Sequence, residues 1–348
     1  MKKKIGLICA VFALLVLFGL QDAAAQASKG PVIRFKVADM TPASSDTGQI
    51  LEWWSAEVEK ATNGRVKVER YFAGSLVGAY EQLSSVKTGL IHVTPYYSGY
   101  HPDLAPLPLI GLMPMMHRGT IKQAVFASDE FCKTVPAIQA EFQKNNVKYM
   151  FQAFNASNYI YSKAPINSLN DLKGKTIRAY GPFLTFFKEF GVGVVSLPVP
   201  EVYEALDRGA VDGTIQYLAN AMGARYYEVV KHVNVTELGH NVGCPAVMHL
   251  GTWNKLPQDI QAMIEGINKK AADKAVAIND ESYGRDMNLV KGKGMTLTRF
   301  SKEDVDKMIE VAHSKVWTPY AQALDKKGLP GTKVLQDYIQ IVEKYAKK

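Results

Sequence analysis

Residues 166–213 read INSLNDLKGKTIRAYGPFLTFFKEFGVGVVSLPVPEVYEALDRGAVDG, and this stretch decides the fold class. A polar turn at 169–174 leads into the short β-branched segment 176–179, which is typical of a strand. A Gly-Pro pair ends that strand. The aromatic-rich residues 183–190 that follow predict a helix.

The second part of the stretch repeats this alternation of strand and helix. Residues 194–195 form a short strand, and Pro200 suits the first position of the helix that follows it. Gly209 stops that helix, and residues 210–215 are the next strand and turn. Because parallel strands need crossover connections, the pattern predicts an α/β sheet.

The sequence before this stretch alternates in the same way. Three segments have the apolar, β-branched or alternating pattern of strands: 32–38, 65–71 and 91–94. Between the first two, apolar residues recur at helical spacing over 50–61. Ser45 or Asp46 can cap the start of this helix, and Asn63-Gly64 can stop it. Both halves of the chain therefore predict α/β lobes.

A long helix is predicted near the carboxyl end. Pro257 opens a helical pattern of apolar residues that continues to Ile278, without a clear breaker before Gly284. If the pattern extends to Gly292, the helix is about 40 to 50 Å long. A helix of that length usually crosses more than one domain, and no low-complexity linker separates the halves. We therefore expect several ordered chain crossings and a hinge.

The amino terminus has the three-part pattern of a secretory signal peptide. Lysines at 2–4 precede an uncharged run at 5–20 and small residues at 23–27, so cleavage is expected after Ala25 or Ala27. A membrane anchor is the alternative, but the run is short for a span and no basic stop follows it. We therefore expect an exported, soluble protein.

The composition is that of an ordinary globular protein, since 47% of the 348 residues are hydrophobic and 21% are charged. Disordered and collagen-like chains are excluded, and the length suggests about two domains. The formal charge of +8 becomes +6 after loss of residues 1–25, which contain three Lys and one Asp. No cluster of basic residues is interleaved with aromatic ones, so nucleic-acid binding is not expected.

The sequence lacks the motifs of the common enzyme classes. It contains no Gly-x-Ser-x-Gly, His-Glu-x-x-His, P-loop or Cys-x-x-Cys sequence, and its seven His residues are scattered. We therefore expect no enzyme activity, no catalytic residues, no cofactor and no metal. Cys132 and Cys244 remain after export, and the sequence leaves open whether they form one disulfide or two buried thiols.

Several segments resemble the signature of a known family. The longest are INSLNDLKGKTIR at 166–178 and LPVPEVYEALDRGAVDG at 197–213, and shorter ones are TNG at 62–64, YFAGSL at 71–76 and WNKLP at 253–257. In this order, behind an export signal, they are similar to the substrate-binding subunits of tripartite ATP-independent periplasmic (TRAP) transporters of the DctP type. The resemblance covers most of the mature chain.

The resemblance implies an α/β, two-lobe periplasmic-binding-protein fold (the Venus flytrap arrangement) with mixed sheets and a long helix spanning both lobes. Lobe I would hold residues 28–155 and 244–282, and lobe II residues 156–243 and 283–348. The lobes would close on a small organic acid in the periplasm. The closed form would deliver the acid to the membrane permease subunits of the transporter, which a sodium gradient drives.

The resemblance also implies that Arg178 forks onto the ligand carboxylate. Arginine suits this role because it stays charged and offers paired N–H donors that match a carboxylate. A second arginine of the sialic-acid-binding members falls on Asn158 here, and an asparagine of those members falls on Gln216. Both amides are expected to orient the ligand.

Aromatic and apolar residues are expected around that arginine. Where the sialic-acid-binding members hold a carboxylate residue, this sequence has Tyr96-Tyr97. The other candidates for the pocket wall are Met40, Tyr80, Phe154, Phe183 and Val199. A weakly polar, aromatic pocket without a second arginine favours a small monocarboxylate, such as a 2-oxo, 2-hydroxy or aromatic acid.

Three alternatives to transport remain open from the sequence. An extracytoplasmic receptor for a signalling partner could use the same fold. An exported lyase or hydrolase acting on carboxylic acids would need a reactive constellation, which the sequence does not show. A metal–carboxylate complex would need acidic metal ligands, and no obvious cluster of them occurs.

Overall fold

The computed structural model describes residues 31–153, 156–241 and 244–347, so the predicted export signal lies outside the described residues. Twelve strands were assigned within these ranges: β1 (Ile33–Ala38), β2 (Val66–Tyr71), β3 (Val93–Pro95), β4 (Val147–Gln152), β5 (Ala156–Ser162), β6 (Thr176–Arg178), β7 (Gly193–Val195), β8 (Gly213–Tyr217), β9 (His232–Asn234), β10 (His240–Asn241), β11 (Pro245–His249) and β12 (Thr296–Thr298).

The helices surround these strands. They are α1 (Asp46–Ala61), α2 (Gln82–Thr88), α3 (Ile121–Thr134), α4 (Pro136–Lys144), α5 (Pro182–Lys188), α6 (Val199–Asp207), α7 (Leu218–Gly223), α8 (Leu250–Asn254), α9 (Gln258–Gly292), α10 (Lys302–Val311), α11 (Thr318–Lys326) and α12 (Gly331–Ala346). Single 3₁₀ turns occur at Ser98–Tyr100, Pro108–Leu112, Leu169–Leu172 and Tyr226–Glu228.

The strands form two mixed sheets, each at the centre of one lobe. The first has the order β2-β1-β3-β11-β4, with β11 antiparallel to both of its neighbours. The second has the order β12-β9-β5-β8-β6-β7, and β10 pairs with β5 beside it. The two-lobe α/β fold with mixed sheets that the sequence predicts is therefore confirmed.

Helix α1 shows how local sequence signals produce this architecture. The Ser45 hydroxyl caps the helix by accepting a hydrogen bond from the backbone N–H of Gly48. After the last turn, Asn63 and Gly64 both adopt positive φ angles of 50° and 75°, which turns the chain into β2. Ile50, Leu51 and Trp54 lie on the buried face of the helix, as the spacing predicts.

Helix α9 joins the two lobes. Its 35 residues correspond to a length of about 52 Å, so the predicted long helix is confirmed and ends at Gly292. It packs against α1, α3 and β4 near the first sheet and against α7 near the second. Among the described residues, no helix combines the length and the apolar character that a membrane crossing requires.

The carboxyl-terminal helices contact both lobes. Helix α12 packs on α3 of the first lobe, whereas the π-helical turn Ala312–Trp317 packs on α5 of the second. The indole of Trp317 donates a 2.9 Å hydrogen bond to the backbone oxygen of Pro114. Assignment of residues 283–348 to lobe II, and the other lobe boundaries, stay predictions.

The two cysteines of the mature chain are buried and unbridged. Cys132 lies in α3 and Cys244 lies directly before β11. Burial raises the pKa of both thiols, so neither is a reactive thiolate near neutral pH. Of the two alternatives that the sequence leaves open, the structure shows the separate buried thiols.

Candidate ligand-binding site

A cavity of about 380 Å³, including its open mouth, lies between the two sheets. Residues after β1 and β3 form one side, and residues at the ends of β6 and β8 form the other. Its lining consists of Met40, Thr41, Tyr97, Gly99, Tyr100, Leu112, Tyr180, Val199, Gln216, Tyr217, Asn220 and Cys244. The position between two lobes, where strands end, is typical of ligand sites in α/β proteins.

Arg178, the last residue of β6, stands directly behind the cavity wall: it is not part of the lining, but it contacts the lining residues Tyr100 and Tyr180. Strand β6 runs parallel to β7 and β8, which fixes the end of the strand in the middle of the second lobe. The side chain is fully buried. Burial opposes the charged guanidinium, but the phenols of Tyr100, Tyr226 and Tyr180 act the other way, and the pKa of Arg178 is raised above its usual value. The residue is therefore a buried cation.

The hydrogen bonds of Arg178 explain its fixed orientation. Nε and Nη2 donate to the backbone oxygen of Leu197 at 2.9 and 2.7 Å, and Nη1 donates to that of Ile215 at 3.3 Å. Nη2 also donates to the Tyr100 hydroxyl at 2.9 Å. These bonds use four of the five N–H groups of the guanidinium. Among the described residues, no carboxylate forms an ion pair with it.

Three tyrosines that line the cavity surround this cation. The Tyr180 ring centroid lies 5.0 Å from the Arg178 Cζ atom, close enough for a cation–π interaction. Tyr100 stacks on Tyr180 with ring centroids 6.5 Å apart, and the Tyr180 and Tyr217 hydroxyls hydrogen-bond to each other. The sequence analysis missed these tyrosines. Two of them are close in sequence to predicted positions, since Tyr180 is two residues after Arg178 and Tyr217 directly follows Gln216.

Asn158 and Gln216 lie on the neighbouring strands β5 and β8, and both side chains are buried. The Asn158 Oδ1 atom accepts a 2.9 Å hydrogen bond from the Tyr180 hydroxyl, and Gln216 Oε1 accepts from the backbone N–H of Tyr217 at 3.0 Å. Neither amide nitrogen has a hydrogen-bond partner among the described residues. Buried donors without partners cost free energy, so these two nitrogens are suited to meet a ligand acceptor.

The structure brings only some of the predicted aromatic and apolar residues to the cavity. Met40, Tyr97 and Val199 line it. Tyr80, which is 50% exposed, stands outside the lining with its ring edge-on to Tyr100 at 5.6 Å. Phe154 lies outside the described residues.

Two other predicted residues pack away from the cavity. The Tyr96 hydroxyl accepts a 2.9 Å hydrogen bond from Asn145, and the Tyr96 ring packs on Phe142 in the core of the first lobe. Phe183 packs edge-on against Phe186 in α5. Neither is part of the cavity lining.

A buried carboxyl group stands behind the cavity wall of the first lobe. Asp39 directly follows β1, and its two oxygens accept hydrogen bonds from the Thr41 hydroxyl at 2.6 Å and the Tyr97 hydroxyl at 2.7 Å. Burial raises the pKa of Asp39 to about 6, although these hydrogen bonds lower it. The sequence analysis missed this residue, because an aspartate at a strand end has no distinctive local signal.

The part of the chain that the structure describes does not form a metal site. Within 31–153, 156–241 and 244–347, no group of three or more His, Cys, Asp or Glu side chains has the arrangement of a metal site.

Comparison with known proteins identifies the family. The sequence model of the bacterial extracellular solute-binding proteins, family 7 (DctP), matches residues 37–323. Over 284 residues, the chain is 26% identical to a monocarboxylate 2-oxoacid-binding periplasmic protein from Nostoc sp., and the alignment covers 78% of this chain and 75% of that protein.

Solved structures show the same fold. A TRAP periplasmic solute-binding protein from Desulfovibrio salexigens, crystallised with orotic acid, superposes with a TM-score of 0.81 at 21% identity, covering 90% of this chain and 99% of that one. A TRAP solute-binding protein from an unidentified marine microbe, specific for aromatic acids and crystallised with 3-hydroxybenzoate, also gives 0.81 at 21% identity, with coverage of 91% and 99%. The chain therefore belongs to family 7 of the bacterial extracellular solute-binding proteins, the DctP family to which the TRAP-type solute receptors belong.

Proposed function

We propose that this solute-binding protein captures a small monocarboxylate in the periplasm and delivers it to the membrane permease of a TRAP transporter. Arg178 carries the proposal, because it is a fully buried cation in contact with the cavity-lining residues Tyr100 and Tyr180 and has no anionic partner among the described residues. A buried charge without a counter-ion is unfavourable. A bound carboxylate supplies that counter-ion.

The electrostatics of the cavity favour such a ligand. In a site closed off from water, the attraction between guanidinium and carboxylate is several times stronger than at the surface. The amide nitrogens of Asn158 and Gln216 are further donors for the acid group or for a substituent beside it. All three residues come from the second lobe, so the carboxylate binds there first.

The lining of the cavity favours a small acid with one carboxylate. The wall is made largely of tyrosine rings and the apolar side chains of Met40, Leu112 and Val199. Some of the similar proteins are named for or crystallised with a 2-oxoacid, orotic acid or 3-hydroxybenzoate, and others with malonate or a sugar acid, so their ligands support the broader class of small organic acids.

Lobe closure completes the site. Thr41, Tyr97 and Tyr100 from the first lobe cover the acid that Arg178 holds on the second. Because both lobes then contact the same ligand, binding shifts the population toward the closed form. The closed form is the species that the permease receives.

The decisive experiment is identification of the ligand. Mass spectrometry of acid released from protein purified without refolding should find a small monocarboxylate. Isothermal titration of the refolded, ligand-free protein should then give tight one-to-one binding of that acid. A protein that binds only sugar acids or dicarboxylates, or no acid at all, contradicts the proposal. Turnover of the bound acid during the titration would instead indicate an enzyme.

A further inference from the structure

Thr41 and Tyr97 belong to the first-lobe wall of the cavity, and we call this pair of residues the acceptor wall. Both residues line the cavity, and Asp39 lies directly behind them. Each hydroxyl donates to a different oxygen of the Asp39 carboxyl group, at 2.6 and 2.7 Å. The backbone N–H of Thr41 donates to the same carboxyl at 3.1 Å.

These bonds determine which hydrogen-bonding groups face the ligand. A hydroxyl carries a single proton. The Tyr97 proton points at Asp39, and the Thr41 proton points at Asp39 or at the Ser45 hydroxyl oxygen, which lies 2.8 Å from Thr41 Oγ1; both acceptors belong to the protein. Each oxygen therefore offers only lone pairs to the cavity. Across the cavity, Gln216 is part of the lining, and its amide nitrogen has no hydrogen-bond partner among the described residues. Arg178 and Asn158 stand behind the lining residue Tyr180, and both carry N–H donors. The cavity has a donor side for an acid group and an acceptor side for a group that carries a proton.

We propose that Asp39 holds Thr41 and Tyr97 as hydrogen-bond acceptors and thereby makes the receptor select monocarboxylates that bear a hydroxyl group. The inference rests on the proposed function and narrows its ligand class. A ligand hydroxyl donates to the acceptor wall while its carboxylate binds Arg178. A ketone oxygen in the same place has no proton to donate. It faces the hydroxyl oxygens of the acceptor wall with its own lone pairs, so neither group gains a hydrogen bond.

The same wall disfavours dicarboxylates. A second carboxylate on the first-lobe side lies against two oxygen lone pairs, with the Asp39 carboxyl behind them. Since burial raises the pKa of Asp39 only to about 6, most of this group is ionised at pH 7.5. The ligand's second carboxylate and the Asp39 carboxylate repel each other strongly in a site closed off from water.

The test compares pairs of acids that differ only in having a hydroxyl or an oxo group on the carbon next to the carboxylate. Isothermal titration at pH 7.5 would measure L-lactate against pyruvate, mandelate against phenylglyoxylate, and malonate as the dicarboxylate. The wild type should bind the hydroxy member of the better-bound pair about 10-fold or more tightly than the oxo member, and malonate more weakly than both. Equal or tighter binding of the oxo acid overturns the inference.

Two variants test the role of Asp39. Asp39→Asn replaces one carboxylate oxygen by an NH₂ group, which donates a hydrogen bond where the oxygen accepted one. One hydroxyl proton can then turn toward the cavity. The ratio of the affinities for the hydroxy acid and the oxo acid should therefore fall to about 3-fold or less. Tyr97→Phe removes one acceptor and should reduce the same ratio even if the Asn variant folds poorly. A preference that both variants retain overturns the inference.

The two proposals fail in different ways. Binding of monocarboxylates without any hydroxy preference contradicts only the acceptor-wall inference. Absence of binding to every acid in the panel, together with no acid in the purified protein, contradicts the proposed function and this inference with it.

Discussion

The Arg178 guanidinium of the second lobe donates a 2.9 Å hydrogen bond from Nη2 to the Tyr100 hydroxyl of the first lobe. The bond joins the two lobes across the cavity that we propose for the ligand. Because Tyr100 is the acceptor in this bond, its own proton is free to donate to a bound carboxylate. The same pair of residues therefore links lobe closure to recognition of the acid.

Replacement of Tyr100 by Phe should loosen this connection. The variant loses one hydrogen bond to a charged group, about 1.5 kcal/mol or more, so the ligand-free protein should open more often. Small-angle scattering should show a larger radius of gyration without ligand and an unchanged one with saturating ligand. Tyr203→Phe is the control, since its hydroxyl bonds the surface residue Glu228. Equal radii for the variant and the wild type would refute the link.

Arg178→Ala should abolish acid binding and leave a folded protein. Removal of one partner from a buried charge pair costs about 2 to 5 kcal/mol, so affinity should fall by about 30-fold or more. Arg178→Lys should restore little, because an ammonium cannot reproduce the hydrogen bonds to Leu197, Ile215 and Tyr100 that hold the guanidinium in place. Calorimetry measures the affinity, and circular dichroism checks the fold.

The control for these variants is Arg208→Ala, which removes a surface arginine that is paired with Glu204 of α6. It should bind the ligand as the wild type does. Unchanged affinity in Arg178→Ala would remove the basis of the proposed function.

Glu141→Gln should change how stability depends on pH. Glu141 is buried in α4 and accepts a 3.1 Å hydrogen bond from the backbone N–H of Leu107. Burial raises the pKa of this carboxyl from 4.5 to about 8. Between these values the unfolded chain loses the proton while the folded one keeps it, so the contribution of Glu141 to stability decreases as pH rises.

Urea unfolding at pH 5 and pH 8 measures this effect. Glutamine can still accept the bond from Leu107 but cannot ionise. Relative to the wild type, the variant should gain about 2 to 4 kcal/mol of stability on going from pH 5 to pH 8. Glu189→Gln, at an exposed position, should leave the pH dependence unchanged. The same slope in Glu141→Gln and wild type would show that Glu141 titrates normally.

Two glycine-to-alanine substitutions should act in opposite directions. A Cβ atom on Gly48 in α1 would lie 2.6 Å from Ala43 Cα and also collide with the backbone oxygen of Pro42. Such overpacking costs about 1 to 3 kcal/mol and displaces the loop that carries Thr41. A Cβ atom on Gly284 in α9 meets no atom within 4 Å.

Gly284→Ala should therefore stabilise the protein by up to about 1 kcal/mol, since alanine favours the helix more than glycine does. Urea midpoints measured in parallel check both changes. Stabilisation by Gly48→Ala would mean that the loop after β1 is not packed as described.

The sequence predicts elements that depend on nearby residues. The cap at Ser45, the turn at Asn63-Gly64 and the long helix α9 follow from short-range patterns, and the structure confirms each of them. The position of Arg178 at a strand end follows from the family motif. These features depend on only a few neighbouring residues, because hydrogen bonds between residues that are close in sequence determine helix caps, turns and strand ends.

The composition of the cavity depends on packing between distant segments. Adjacent Tyr96 and Tyr97 cannot be told apart by type, yet the first packs in the core on Phe142 and the second lines the cavity. Tyr100 follows Asp39 by 61 positions and Arg178 follows Tyr100 by 78. Only the meeting of the two lobes brings these residues to one site.

The sequence by itself determined the family, the α/β class and the arginine expected to anchor an acid. Only the tertiary structure decided that tyrosines surround that arginine and that the Asp39 carboxyl accepts hydrogen bonds from Thr41 and Tyr97. The physical reason is the range of the interactions. Local backbone preferences are encoded by neighbouring residues, whereas burial and the direction of each hydroxyl proton depend on which distant segments meet.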